Sequence, residues 1–227
     1  MNDLQTSELI SAGVSRRRFF GLAGALAGAG LVMSVTSCKK NDNNDSGIDL
    51  GSGDTGVLNY AYALEQLEAA FYFKVVSAPF IGITTKEMNY LADIRDHEIA
   101  HREFFKNALG SNAIQALTPD FSSIDFSNRS SVLGAAMAFE DLGVSAYNGA
   151  GKLITNPAYL TIAGKIVSVE ARHAAVIRDL ITNGTFADNT AVNDTTGLDL
   201  VRTPSEVLAI AGKYIMGSLN ANNLPTS

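Results

Sequence analysis

Glu98-Ile99-Ala100-His101 and Glu170-Ala171-Arg172-His173 are the two stretches that decide how this chain folds. Around the first, Leu91, Ile94, Glu98, His101 and Phe105 follow one another at three- and four-residue steps. Around the second, Ala163, Ile166, Glu170, His173, Ile177 and Leu180 do the same. That spacing traces one face of an α-helix, and its apolar members make it the inward face. Each helix thus places a glutamate and a histidine, one turn apart, inside a stripe expected to be buried. Two of the three histidines carry a glutamate three residues before them. With so few glutamates in the chain, chance produces that about 0.5% of the time.

Two further segments share the design. Leu133, Ala136, Glu140, Gly143 and Tyr147 form one seam. Leu58, Ala61, Glu65, Glu68 and Tyr72 form the other, in a helix whose register is less sharply defined. Four long helices are expected, over residues 57–77, 85–109, 130–154 and 157–182. Pro157 after Asn156 marks a helix start, and Asn183-Gly184 a helix stop. The connection over 110–128 is long and contains Pro119, as an all-α four-helix bundle with one long crossover between helices two and three requires. Residues 185–200 read as a loop. Thr203-Pro204-Ser205-Glu206 caps a C-terminal fifth helix running to about Gly217, after which the chain reads as disordered. The Phe71, Phe73, Phe104, Phe105 and Phe139 rings are expected in the core.

Antiparallel neighbours would bring Glu65 level with Glu98 and Glu140 level with Glu170. Four carboxylates in an apolar interior repel and lose hydration, at about several kcal/mol per ion. Two divalent cations would neutralise them. Carboxylate with imidazole suits iron, manganese or zinc rather than calcium or magnesium. Gly143, on the same face, would leave space beside such ions.

The order Glu-x6-Tyr, Glu-x-x-His, Glu-x6-Tyr, Glu-x-x-His resembles the ferritin-like superfamily of di-iron carboxylate proteins, over about residues 57–182. Leu58-Asn59-Tyr60-Ala61 and Leu67-Glu68-Ala69-Ala70-Phe71-Tyr72 resemble the exported bacterial members related to plant desiccation proteins. The resemblance implies that Glu65, Glu98, His101, Glu140, Glu170 and His173 bind two iron ions, with Glu98 and Glu170 bridging. It also implies chemistry on Fe(II), oxygen or peroxide, with a manganese catalase-like site as the alternative. Glu68 resembles the extra carboxylate of rubrerythrin-type peroxidases; the other reading puts it at a solvated bundle edge. Tyr72 and Tyr147 are placed to hydrogen-bond a ligand carboxylate, to relay an electron, or only to fill the core. Many di-iron helices carry Asp just before the ligating Glu, where this chain has His97 and Val169. His97 is then either a base supporting the site or a surface residue, and the partner of His173 has no name.

The N-terminal residues read as an address. Ser15-Arg16-Arg17-Arg18-Phe19-Phe20 precedes an uncharged stretch from Gly21 to Ser37, and Val35-Thr36-Ser37-Cys38 ends it. The twin arginine resembles a Tat signal, and the small residues before the chain's one cysteine resemble a bacterial lipobox. Residues 1–37 are therefore expected as a signal and 38–54 as a flexible polar tether. Residues 55–183 are the bundle, and 184–227 a loop with the fifth helix. This implies an exported lipoprotein held to the cell envelope, in periplasm or outer membrane, through lipid on Cys38.

Composition narrows the rest. Hydrophobic residues make up 46% of the 227, enough for a core. A net charge of −6, with no basic run beyond residue 40, argues against nucleic acid. One cysteine excludes a disulfide framework and the rubredoxin-like module of rubrerythrins. A homodimer is compatible with these features, whereas a closed storage shell fits poorly with a lipid-tethered chain. Three readings stand: a di-iron oxidoreductase, a manganese catalase-like enzyme, and a non-enzymatic envelope stress protein that keeps the bundle.

Overall fold

A computed structural model describes residues 47–226. Four long helices form the body: α1 (Gly53–Ser77), α2 (Thr85–Leu109), α3 (Arg129–Ala150) and α4 (Pro157–Ile181). A short α5 (Pro204–Ala211) follows, and a two-residue parallel ribbon joins β1 (Ile48–Asp49) to β2 (Leu219–Asn220). The expected Tat signal and Cys38 lie outside the described residues. Among the described residues no helix is long and apolar enough to cross a membrane.

The helix starts follow side-chain chemistry. Thr84 accepts from the Glu87 amide while the Glu87 carboxylate reaches back to Thr84, a reciprocal cap. Asn128 and Asn156 accept from amides of the first turns of α3 and α4, and Pro157 needs no amide partner there. Thr203 and Glu206 repeat the reciprocal cap at α5. Removing any of these side chains would cost about 1 kcal/mol.

The helices pack as two hairpins, α1 with α2 and α3 with α4, connected by the 110–128 crossover. α1 is the central element. It is buried over most of its circumference, because the bundle covers one side and the crossover and C-terminal segment cover the other. Two polar side chains on α1 pin the crossover. Asn59 donates to the carbonyls of Leu50 (3.1 Å) and Asn112 (2.9 Å) and accepts from the Ile114 amide (2.9 Å). Gln66 accepts from the Leu117 amide at 2.8 Å. A loop laid over a core must find partners for its backbone, and these two residues supply them.

The C-terminal segment then locks over the crossover. Asp120 donates to the Tyr214 carbonyl (2.7 Å) and Met216 to that of Thr118 (2.8 Å). Val207, Ala211, Ile215 and Leu224 join the main core. Gly149 makes this docking feasible: a methyl group there would sit 1.7 Å from the Arg202 carbonyl oxygen.

Several expectations need correction. The polar stretch expected as tether through residue 54 is already folded from Gly47: Ile48–Asp49 pairs with Leu219–Asn220, Leu50 is buried, and α1 begins at Gly53. The same pairing, with buried Leu224, orders the terminus expected to be loose. α3 ends at Ala150 and gives way to a tighter turn over Gly151–Leu153. α5 stops at Ala211, six residues short of the expected end, and Gly217 turns with φ 94°. Phe73 is 60% exposed rather than core, since it lies on the side of α1 facing neither covering layer.

Candidate metal centre

All four seam glutamates are fully buried: Glu65 on α1, Glu98 on α2, Glu140 on α3 and Glu170 on α4. With His101 and His173 they form two groups of potential ligand atoms. One comprises Glu65, Glu98, His101 and Glu170, and the other Glu98, Glu140, Glu170 and His173. Glu98 and Glu170 belong to both.

The two groups are copies related by a local two-fold. His101 Nδ1 lies 2.8 Å from Glu170, 3.5 Å from Glu65 and 3.6 Å from Glu98. His173 Nδ1 lies 2.8 Å from Glu98, 3.5 Å from Glu140 and 3.6 Å from Glu170. At these distances each imidazole pairs with the carboxylates when protonated, although none of the contacts has hydrogen-bond geometry. Both oxygens of Glu98 and of Glu170, one oxygen each of Glu65 and Glu140, and both Nδ1 atoms are buried without a partner. Eight orphaned polar atoms in one core would be a severe cost if nothing joined them. They converge on two points, as donors around two ions would.

The tyrosines complete the set. Tyr72 donates to Glu140 Oε1 at 2.5 Å, and Tyr147 donates to Glu65 Oε1. Each outer carboxylate therefore has one oxygen held by a phenol and one free, whereas both shared carboxylates keep two free. That division sets the two outer carboxylates apart from the two shared ones. The hydrogen bonds cross the bundle, from α1 to α3 and back, so these helices run antiparallel with their glutamates level. A helical side chain leans toward its own N-terminus, which brings a tyrosine two turns past the glutamate back to the level of the opposing one. α1 and α2, joined by a short loop, are antiparallel too, so α2 and α3 run parallel as a long crossover demands.

Charge reinforces the geometry. Burial first, then repulsion from Glu170, pushes Glu98 up to about 8. Burial raises Glu140 to about 7 against the pull of His173. Glu170 goes the other way: His101 and His173 overcome its burial and hold it at about 2. The two shared carboxylates thus divide one proton unequally in the absence of metal. Burial, then the nearby carboxylates, drives both phenols well above their ordinary range, so they remain hydrogen-bond donors.

Glu68 faces inward rather than to a solvated edge: it is 3% exposed. It is not part of either ligand group. Burial and then repulsion from Glu98, Glu170, Glu140 and Glu65 raise it well above its ordinary value, which favours its protonated form. The space left by Gly143 is where it lies, its Oε1 3.0 Å from the point a Gly143 side chain would occupy. The space expected beside the ions is therefore filled by a carboxyl group.

His97 has the partner that spacing could not supply. Its Nδ1 is 2.9 Å from Nε2 of His173, with the rings 10° from parallel. The contact joins α2 to α4, so no interval along the chain announces it. An apolar recess lined by Ala61, Phe105, Tyr147 and Ala163 adjoins the Glu65–His101 side.

The model of the ferritin-like domain family matches residues 53–183. The chain belongs to this family. The matched span holds all four bundle helices and every ligand candidate; β1, α5 and the C-terminal strap lie beyond it. No curated protein matches the chain.

Proposed function

We propose that this ferritin-like domain binds two transition-metal ions and carries out redox chemistry on Fe(II), oxygen or peroxide. One observation carries the reading: eight unpartnered donor atoms, fully enclosed, arranged as two equivalent groups sharing Glu98 and Glu170. Four carboxylates offset two dications, and neutral imidazole beside carboxylate favours iron, with manganese as the second reading because it accepts the same donors. Two bound irons would supply a couple that passes electrons to oxygen or peroxide. Glu98 and Glu170 would span both ions, and Glu65 with His101 and Glu140 with His173 would complete each side. Tyr72 and Tyr147 hold the outer carboxylates in place.

The sequence features before residue 47 support a cellular setting: export through a Tat-type signal and anchoring by lipid on Cys38. Loss of membrane association in C38A, with the bundle intact, is the expected result. The central test is elemental analysis of protein from iron-replete cells, with an optical spectrum after oxygen exposure. Two irons per chain and a ligand-to-metal band are expected, and E98A with E170A should lose both without unfolding. Manganese content with oxygen release from peroxide would select the second reading. Protein from such cells holding far less than two metals per chain would overturn the proposal.

A further inference from the structure

We infer that the two metal positions are unequal, and that His97 makes them so by positioning His173 as the ligand of the tighter one. The inference rests on the dimetal reading above. Within the ligand groups the local two-fold holds closely, with matching nitrogen-to-oxygen distances on both sides. It fails one layer out. His97 directly precedes Glu98 on α2, and the equivalent position, directly before Glu170 on α4, is Val169.

The difference acts on one nitrogen. Nδ1 of His173 points at the carboxylates and has no hydrogen-bond partner, so a metal would take its lone pair and leave its proton on Nε2. That N–H then needs an acceptor, and His97 Nδ1 stands 2.9 Å away. His97 must carry its own proton on Nε2 to accept there. The two rings are nearly coplanar and meet edge to edge, 10° from parallel with 5.2 Å between centroids, as an in-plane N–H···N bond requires, and that bond restricts how far His173 can turn. On the other side Val169 offers no acceptor, and His101 has no hydrogen bond from its Nε2 to any described residue. Its side chain is also more open, 13% against 5% exposed. An acceptor behind a ligand imidazole fixes the ring and strengthens it as a donor, and losing one typically costs about 10–100-fold in metal affinity. The group of Glu98, Glu140, Glu170 and His173 is therefore the tighter position and fills first. His97 is a positioning residue, since it touches a ligand and not the ions.

The test is titration of the metal-free full chain with Co(II), followed by calorimetry and by the visible spectrum, which reports ligand geometry. Wild-type protein should bind two Co(II) in steps about 10–100-fold apart. In H97L, which keeps bulk but has no acceptor, the tighter step should weaken by that factor and the steps should merge. H97N, whose side-chain oxygen can stand in for Nδ1, should restore the separation. His97 is exposed, so both variants should fold, and the melting of the metal-free forms checks this. Two equal steps in wild-type protein, or steps in H97L still as far apart as in wild type, would overturn the inference and leave the dimetal reading standing. Equal behaviour of H97L and H97N would also overturn it, because a merely space-filling ring predicts that. Uptake of fewer than two Co(II) by wild-type protein would overturn the dimetal reading itself and this inference with it.

Discussion

Loading the centre should expel protons, and the number follows from the metal-free electrostatics. Burial works toward neutral imidazoles, but the carboxylates prevail. Glu140, Glu170 and Glu98 push His173 up to about 12, and Glu65, Glu170 and Glu98 drive His101 far above its usual value. At pH 7 each imidazole therefore holds a proton. Glu98, at about 8, holds most of another, and Glu140, at about 7, holds half of one. The metal-free centre thus neutralises itself with roughly three protons where two dications would stand. A metal needs the lone pairs those protons occupy, so binding two ions at pH 7 should release about three protons. The overall constant for both ions should then rise roughly 1,000-fold per pH unit near neutrality. By pH 9 both carboxyls have ionised, and release should fall to about two, those of the imidazoles. Calorimetric titration of the metal-free protein with Mn(II), in buffers of different ionisation enthalpy at pH 7 and pH 9, counts the protons directly. Release of less than about one proton for two ions at pH 7 would refute the reasoning, because it would mean neutral imidazoles and ionised carboxylates before any metal arrived.

Three further substitutions probe the surroundings. Y147F leaves Glu65 Oε1 buried without a donor and should weaken the His101 side by about 10–100-fold, with Y72F doing the same to the His173 side; metal titration of the folded variants reads both. G149A drives a methyl group into the Arg202 carbonyl and should destabilise the C-terminal strap by about 1–3 kcal/mol, read by chemical denaturation, while the ligand groups still take up metal. Arg178, 4% exposed, binds Asp141 through two nitrogens at 2.9 and 2.6 Å and reaches Asp188 at 3.0 Å. R178A should cost roughly 3 kcal/mol, the low end for a broken buried pair because both aspartates keep solvent contact, and an unchanged denaturation midpoint would contradict that.

The bundle was legible because its signal is local and repeated. Three- and four-residue spacing places Glu65, Glu98, His101, Glu140, Glu170 and His173 on inward faces, and matching intervals bring them level. What the spacing could not show depends on contacts between helices. The tyrosines were read as able to hold a ligand carboxylate without saying which, and each holds the one on the opposite helix, since the lean of a helical side chain sets only the height it reaches and not the neighbour it meets. The partner of His173 was sought on its own helix at Val169 and found on α2. The folded ends escaped notice for a related reason. Gly47–Leu50 is short, holds only Ile48 and Leu50 as apolar residues, and is ordered by pairing with β2 from the far end of the chain. One physical difference separates the two classes of feature. A buried stripe is imposed on every turn of a helix, so it is written many times, whereas a contact between distant segments can be supplied by any side chain of the right chemistry. The local two-fold is therefore strict among the four carboxylates and two imidazoles and relaxed one layer out, where His97 touches His173 and Val169 holds the equivalent chain position. The inequality we infer for the two positions would arise in that relaxed layer.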